Sequence, residues 1–266
     1  MPDLDEYTRV ARLAVEEACR RLRVAAGEHK QITHKGAVDL VTQIDHEIEA
    51  LLTERLRRAF PDHVVIGEEA SAGRSVTPPP ADVWAWYLDP LDGTTNFAHG
   101  HPHFAVSLAL ARGAEPCLGL IADPLRGETF VARRGGGATL NGRPIRVSAV
   151  ARLDDALLAT GTAYDRRERA DFYLDRIKAF MLRAQGIRRA GSAALDLCYV
   201  ACGRVDAYWE WRLAPWDHAA GALIVREAGG MVSDCAGGPH DLFGDSVLAS
   251  NGALHAAMLA VLAAIP

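Results

Sequence analysis

From Phe104 to Val147 the chain reads as FAVSLALARG, CLGLIADP, ETFVARRGGG and ATLNGRPIRV, strand-like stretches separated by turn signals. The last of them contains Asn141-Gly142, the dipeptide favoured in two-residue hairpins. Strands that follow one another this closely pair antiparallel, because a parallel return needs a crossover of about a dozen residues or more. Everything else in the chain has to be arranged around that sheet.

On its N-terminal side, residues 3–26 space Leu4, Tyr7, Val10, Ala11, Ala14, Val15, Ala18 and Leu22 by threes and fours, the pattern of an amphipathic helix. DLVTQ then reads as a short extended piece. It leads into a second helix with Ile44, Ile48, Leu51, Leu52 and Leu56 on one face, Asp45 near its start and Pro61 beyond its end. HVVIGEE is a strand running into two glutamates, SAGRSVTPPPAD a Gly- and Pro-rich loop, and WAWYLDPLD a buried strand ending in two acids. After residue 150 the texture alternates: ALLATG as strand, a charged helix over 166–184, SAALDLCYVACG as helix and RVDAYWEW as strand. DHAAGALIVREAGG (helix), VLASN (strand) and a terminal helix complete the chain. The expected class is α/β, with an α+β half over 1–150 carrying the antiparallel sheet and an α/β half over 151–266, packed in layers.

With 266 residues, 49% of them hydrophobic, the chain can fill one large core or two small ones, and its net charge of −5 disfavours a dedicated nucleic-acid surface. No stretch approaches the about 18 apolar residues of a membrane span, and MPDLDEYTR lacks the layout of a signal peptide. A cytoplasmic protein is expected. The five cysteines form no Cys-x-x-Cys pair; Cys198 and Cys202, one helical turn apart, read as part of a buried helix face.

The chemistry lies in the acids. Asp45, Glu68-Glu69, Asp89/Asp92 and Asp217 each stand at the end of an element, and two carboxylates held together at a strand end need positive charge. Oxygen-only donors suit a hard cation, Mg²⁺ above all. Pro90 stiffens the turn between Asp89 and Asp92, so that both side chains, with the Leu91 carbonyl, can converge on a metal pair able to serve phosphate-ester hydrolysis. Gly93, Thr94 and Thr95 then offer backbone donors and hydroxyls to an anion. Taken alone, Asp217, following Pro215, reads as readily as a helix cap as a ligand.

WAWYLDPLDGTTNFAHG and WDHAAGALIVREAGG, preceded by DLVTQID and VVIGEE and joined by GSAALDLCYVACGRVDAYWE, resemble the inositol monophosphatase family of Mg²⁺-dependent, lithium-sensitive phosphatases across almost the whole chain. The resemblance implies the layered αβαβα sugar-phosphatase fold. It implies two or three Mg²⁺ ions held by Glu68, Asp89, the Leu91 carbonyl, Asp92 and Asp217, with Asp89 bridging. Thr94 and Asp45 match residues that orient the attacking water, with Glu68 assisting as base, and Gly93 and Thr94 match the phosphate cradle. Gly191, Ser192 and Ala193 match a loop at the alcohol part of the substrate, Glu210 a residue binding its hydroxyls, and Asp92 and Asp217 also face it. The implied reaction is hydrolysis of inositol 1-phosphate or a related polyol or sugar phosphate by water, without a covalent intermediate, in a homodimer. Fructose 1,6-bisphosphate, nucleoside 3′,5′-bisphosphates and histidinol phosphate are the alternative substrates on the same core. Some bacterial members are RNA-polymerase-associated regulators, which leaves a binding role as the non-enzymatic alternative. Lys35 is one step off the animal pattern and stays outside the site.

Other residues read more simply. DGTT echoes the haloacid-dehalogenase phosphatases, but the acids here are Asp-x-x-Asp and lie mid-chain. His99, His101 and His103 lack a fourth zinc ligand. Glu69 divides evenly between supporting the site and pairing as a loop carboxylate. Trp209 and Trp211, alternating with Glu210, point away from it and pack. Arg212 reaches either an anionic substrate or a surface acid, and RRERAD is a solvated face.

Overall fold

The computed structural model describes residues 4–28 and 34–265. Helices α1 (Leu4–Glu28) and α2 (His34–Ala59) precede strand β1 (Val64–Gly67), the short α3 (Glu68–Ser71), β2 (Trp84–Asp92) and the short α4 (Thr94–Ala98). Strands β3 (Ala105–Arg112), β4 (Glu115–Asp123), β5 (Glu128–Arg133), β6 (Gly137–Leu140) and β7 (Arg143–Pro144) follow as a meander. The second stretch runs β8 (Leu157–Thr160), α5 (Ala170–Met181), β9 (Gly186–Arg188), α6 (Ala193–Ala201), β10 (Ala207–Trp211), α7 (Pro215–Glu227), β11 (Met231–Ser233), β12 (Ser246–Ser250) and α8 (His255–Ala263).

Strands β1 to β7 form one sheet in sequence order, antiparallel except for the parallel pair β1–β2. The second sheet has the order β11-β12-β10-β8-β9, with β8 parallel to both β9 and β10. Asn141 and Gly142 both have positive φ, the backbone that a tight β6–β7 hairpin requires.

Side-chain alternation stacks these sheets into layers. Trp86, Leu88, Leu108, Leu110 and Leu120 on one face of the first sheet pack on Ala11, Val15, Leu22, Ile48 and Leu52 of α1 and α2. Tyr87, Ala109 and Phe130 on its other face meet α6 and α7, which also pack on Ala159, Tyr208 and Ala249 of the second sheet. The far side of that sheet, with Leu158, Trp209 and Leu248, is covered by Phe180 of α5 and Met258 and Leu262 of α8. The order is α-β-α-β-α, as the resemblance implies. Each fully buried Leu or Phe contributes about 1.5–3 kcal/mol relative to exposure, so the three apolar interfaces set the order of the layers before any polar contact is counted.

Three sequence expectations change. The DLVTQ piece is helical, so α2 begins at His34 and Asp45 lies in mid-helix, not near a helix start. From Ile44 onward the apolar face of α2 packs in the same core as β2. The charged segment over 166–184 splits into a 3₁₀ turn, Tyr164–Arg167, and α5. The side chain of Lys35 lies outside the described residues.

Candidate active site

Parallel pairing brings the acids together. Because Gly67 aligns with Leu88, Glu68 comes level with Asp89 at the carboxyl ends of β1 and β2. In a regular strand, residues three apart face opposite sides, which would separate Asp89 from Asp92. The β2–β3 register slips between them: Asp89 pairs with Ser107 and Asp92 with Ala105. This bulge, at a proline with no N–H to give to a ladder, brings both carboxylates to one side. The stiff Pro90 turn read from the sequence is therefore a bulge inside the strand.

Gly93 follows with φ 96°, and a Cβ there would lie 2.9 Å from the His103 carbonyl oxygen, so the turn into α4 excludes other residues. Thr94 Oγ1 donates to the Leu91 carbonyl at 3.0 Å. From the second sheet, Trp209 aligns with Thr160, which sets Glu210 level with Gly161. The middle-layer helices bring their N-termini to the same seam. Asp217 is the third residue of α7, and Ser107 Oγ ties the start of that helix to β3 by donating to the Trp216 carbonyl at 3.1 Å.

These elements form a cavity of about 580 Å³ lined by Glu68, Asp89 and Asp92 from the first sheet, by Asp217 from α7, and by Gly191, Asp196 and Glu210 from the α6 side and the second sheet. Leu91, Gly93, Thr94, Ser192 and Ala193 also line it, whereas Asp45 does not. Of the sequence-predicted site residues, then, all but Asp45 come together.

Each aspartate commits one oxygen to the protein. Asp89 Oδ1 accepts from the Leu91 N–H at 2.9 Å, and Asp217 Oδ2 from the Ala214 N–H at 2.7 Å. Asp92 Oδ2 accepts from the Ala194 N–H at 2.8 Å and from Ser192 Oγ, at the N-terminal end of α6. Asp217 thus caps with one oxygen and keeps the other, so its two readings are not exclusive. Among the described residues no three of these side chains close on one point as a finished ion site. They fit a hard cation in kind: oxygen donors only, each aspartate oriented through one oxygen, facing other acids.

Burial dominates the electrostatics of these acids. Burial pushes the Glu68 carboxyl up to about 7, with Glu69 and Asp92 adding to the shift against a hydrogen bond with Asp89. Asp89 and Asp217 stand well above the carboxylate range, first through burial and then through Glu68 and Asp92. Burial raises Asp92 to about 6 despite the Ser192 and Ala194 donors. Without added positive charge, these groups hold on to protons.

Sequence reasoning missed several supports. Glu49 is buried and accepts the Glu69 N–H at 2.9 Å and the Ala70 N–H at 2.8 Å, capping α3 and fixing Glu68. It lies one helical turn from Asp45, a spacing legible in the sequence once α2 is known to continue. Asn96 Nδ2 donates to the carbonyls of His103 at 2.7 Å and Ala190 at 2.9 Å, tying α4 to the Gly191 loop. Tyr208 donates its hydroxyl to Glu210. Burial first, then Glu69, Glu68 and Glu49, raise Asp45 to about 8, and its Oδ1 is buried without a hydrogen-bond partner.

The simpler readings resolve. Glu69 pairs with His46 Nε2 at 3.6 Å, and Arg212 with Asp165 at 2.9 Å. Trp209 packs on Phe180 and Trp211 on Phe172. Among the described residues the histidines of HGHPHF form no metal cluster, and burial lowers His103 to about 4.

The comparisons agree with this geometry. The model of the inositol monophosphatase family matches residues 3–266. An inositol-1-monophosphatase of Synechocystis is 45% identical over 267 residues, covering 99% of this chain and 91% of that protein. A protein named Nus factor SuhB from Pseudomonas aeruginosa is 43% identical over 259 residues, covering 94% and 92%. The structure of an inositol monophosphatase from Anabaena superposes with a TM-score of 0.88 at 39% identity, over 99% of this chain and 98% of that one. Fold, layer order and the acids at the seam therefore have one explanation: this chain belongs to the inositol monophosphatase family.

Proposed function

We propose that this member of a phosphatase family is a Mg²⁺-dependent phosphomonoesterase acting on inositol 1-phosphate or a related polyol or sugar phosphate, by in-line attack of water. The observation that carries the reading is one cavity lined both by Glu68, Asp89, Asp92 and Asp217 and by Gly191, Ser192 and Glu210. Glu68, Asp89, the Leu91 carbonyl, Asp92 and Asp217 would hold the ions. Bound Mg²⁺ supplies charge stabilisation on phosphoryl oxygens and lowers the pKa of water. The chain does the rest. The Thr94 hydroxyl donates a hydrogen bond to the Leu91 carbonyl, which leaves its lone pairs to hold the attacking water. Glu68 accepts a proton from that water, and Gly93 and Thr94 cradle the phosphate. Asp45 stands behind the cavity lining, so its part is to place a buried charge or proton beside Glu68.

Gly191, Ser192 and Ala193 bound the alcohol and Glu210 accepts its hydroxyls. Structures titled as inositol monophosphate bound and as 2'AMP bound SaIMPase-II superpose with TM-scores of 0.81 and 0.82 at 26% and 27% identity over 96% of this chain, so a cyclitol phosphate and a nucleotide both belong among the substrates to test. Two or three ions, lithium sensitivity, a homodimer and a cytoplasmic setting belong to the same proposal; among the described residues no helix is long and apolar enough to cross a membrane. The Nus factor name carried by 43% identical relatives favours a second reading, a regulatory role with RNA polymerase, alongside catalysis. Phosphate release with Mg²⁺ from inositol 1-phosphate, fructose 1,6-bisphosphate, adenosine 3′,5′-bisphosphate and histidinol phosphate tests the enzyme. The highest kcat/KM is expected on inositol 1-phosphate, and no release from any of them would overturn the reading.

A further inference from the structure

Asp196 is the second residue-level acid at the alcohol end, and nothing in the proposed chemistry uses it. It lies on α6, one turn after the Gly191 loop, and lines the same cavity as Glu210. Its side chain is only 2% exposed, yet among the described residues no N–H or O–H donates to its carboxylate. That sets it apart from four other acids of the seam, although Asp45, outside the cavity lining, also has an unpartnered oxygen. Asp92 has Ser192 and Ala194, Asp217 has Ala214, Glu49 has two backbone N–H groups, and Glu210 has Tyr208.

The charged groups acting on Asp196 are Glu210, Asp92 and Arg189. Arg189 does not meet either acid. Its Nη2 lies against Thr162, 3.2 Å from the carbonyl and 3.0 Å from Oγ1. A buried carboxylate with no donor is costly, and the cost is relieved by whatever enters the cavity carrying hydroxyl donors. Glu210 has the same capacity, since the Tyr208 hydroxyl fills only part of what two carboxylate oxygens can accept. The two acids therefore form a pair of acceptors on the wall where the alcohol would lie.

We propose that Asp196 is a specificity-determining residue that accepts a hydrogen bond from a hydroxyl of the leaving alcohol, so that Asp196 and Glu210 together select monophosphates of alcohols with at least two free hydroxyls. This inference rests on the reading of the cavity as a phosphate-ester site.

The test compares wild type with Asp196→Ala and the isosteric Asp196→Asn on inositol 1-phosphate, its singly deoxygenated analogues and p-nitrophenyl phosphate. Asp196→Ala should raise KM for inositol 1-phosphate by about tenfold or more, with kcat changed by less than about twofold, the scale of losing a hydrogen bond to a charged group. Asp196→Asn, which keeps an acceptor oxygen, should lose less, and neither should alter p-nitrophenyl phosphate turnover. One deoxygenated analogue, lacking the hydroxyl that Asp196 receives, should be hydrolysed equally by all three proteins. Equal losses on the aryl and inositol esters, or deoxygenation penalties that persist undiminished in both variants, overturn the inference while leaving the enzyme reading intact. A wild-type protein inactive on the whole panel overturns both. If Asp196→Ala fails to fold, Asp196→Asn carries the same comparison.

Discussion

Gly161→Ala tests the alcohol end by crowding it. An alanine Cβ at this position would lie 1.9 Å from Glu210 Oε2 and 2.1 Å from its Cδ and Oε1. Ordinary contact needs about 3.5 Å, so the carboxylate has to retreat by about 1.5 Å, away from a position fixed by Tyr208. The backbone gives no counter-argument, because Gly161 is not among the glycines with positive φ. On backbone grounds alone, Gly→Ala stabilises by about 0.4–1 kcal/mol. The crowded atoms are the far end of a flexible side chain at a cavity wall, so the carboxylate can swing aside and the two effects on stability, crowding and the backbone gain, nearly cancel. The melting temperature should therefore move by only a few degrees, at about 2–4 °C per kcal/mol for a chain of this size. The variant should lose about tenfold or more in kcat/KM on inositol 1-phosphate, since a displacement of about 1 Å can cost that much or more, while p-nitrophenyl phosphate turnover is kept. In a Glu210→Ala background the same alanine should be neutral or stabilising, because the clash is gone. A Gly161→Ala protein with an unchanged kcat/KM on inositol 1-phosphate would refute the placement of Glu210 against β8.

Three further outcomes follow from the site. Asp92→Asn can still accept from Ser192 and Ala194 but loses the charge; turnover should fall by about 100-fold or more while the melting temperature of metal-free protein holds or rises, and full activity would remove Asp92 from the ligand set. Glu49→Ala leaves the Glu69 and Ala70 N–H groups without their acceptor and should cost about 1–3 kcal/mol in urea unfolding together with activity; an unchanged midpoint would show that α3 does not depend on this cap. In EDTA, stability should fall as pH rises from about 6.5 to about 8. Asp45 near 8 and Glu68 and Glu210 near 7 are raised above their unfolded values near 4, so their contribution is complete below about pH 4 and is lost as pH rises from there through the folded values, the last of it between about 6.5 and 8. Below about 6.5 the trend is opposed by His103 and His240, both lowered to about 4, which must charge on unfolding. Mg²⁺ should flatten the slope, and equal slopes with Mg²⁺ and with EDTA would contradict cation binding by these acids.

Much of the molecule is legible in the sequence because its signals are local. The 3.6-residue period of α1, the alternation in β3 to β5 and the Asn141-Gly142 hairpin each depend on neighbours in the chain. What escaped is pairing. The parallel alignments of Gly67 with Leu88 and of Trp209 with Thr160 create the site, yet no residue announces them, since strand register is set by tertiary packing. The three-residue strands β9 and β11 are too short to show a period. Asp196 was hidden because an acid in SAALDLCYVACG gives no sign of facing a cavity rather than solvent. Glu49 was hidden because the helix was taken to begin too close to it.

The two sets of acids in the cavity meet one electrostatic problem with different means. Two unit charges about 4 Å apart repel by about 4 kcal/mol at an effective dielectric near 20, and Glu68, Asp89, Asp92 and Asp217 line the same cavity. The N-terminal ends of α6 and α7 reduce that cost, but each supplies only about half a unit of positive charge. A phosphate monoester, itself an anion, would meet net repulsion there. If these acids hold divalent cations as proposed, the affinity for the ester should depend on the cation as well as its hydrolysis does. Asp196 and Glu210 have Arg189 nearby but no hydrogen bond to it, and a neutral polyol is the partner that relieves them without adding charge. With cations held as proposed, a substrate anionic at one end and hydroxylated at the other would have one favourable orientation, with the ester bond at Glu68, Asp89, Asp92 and Asp217.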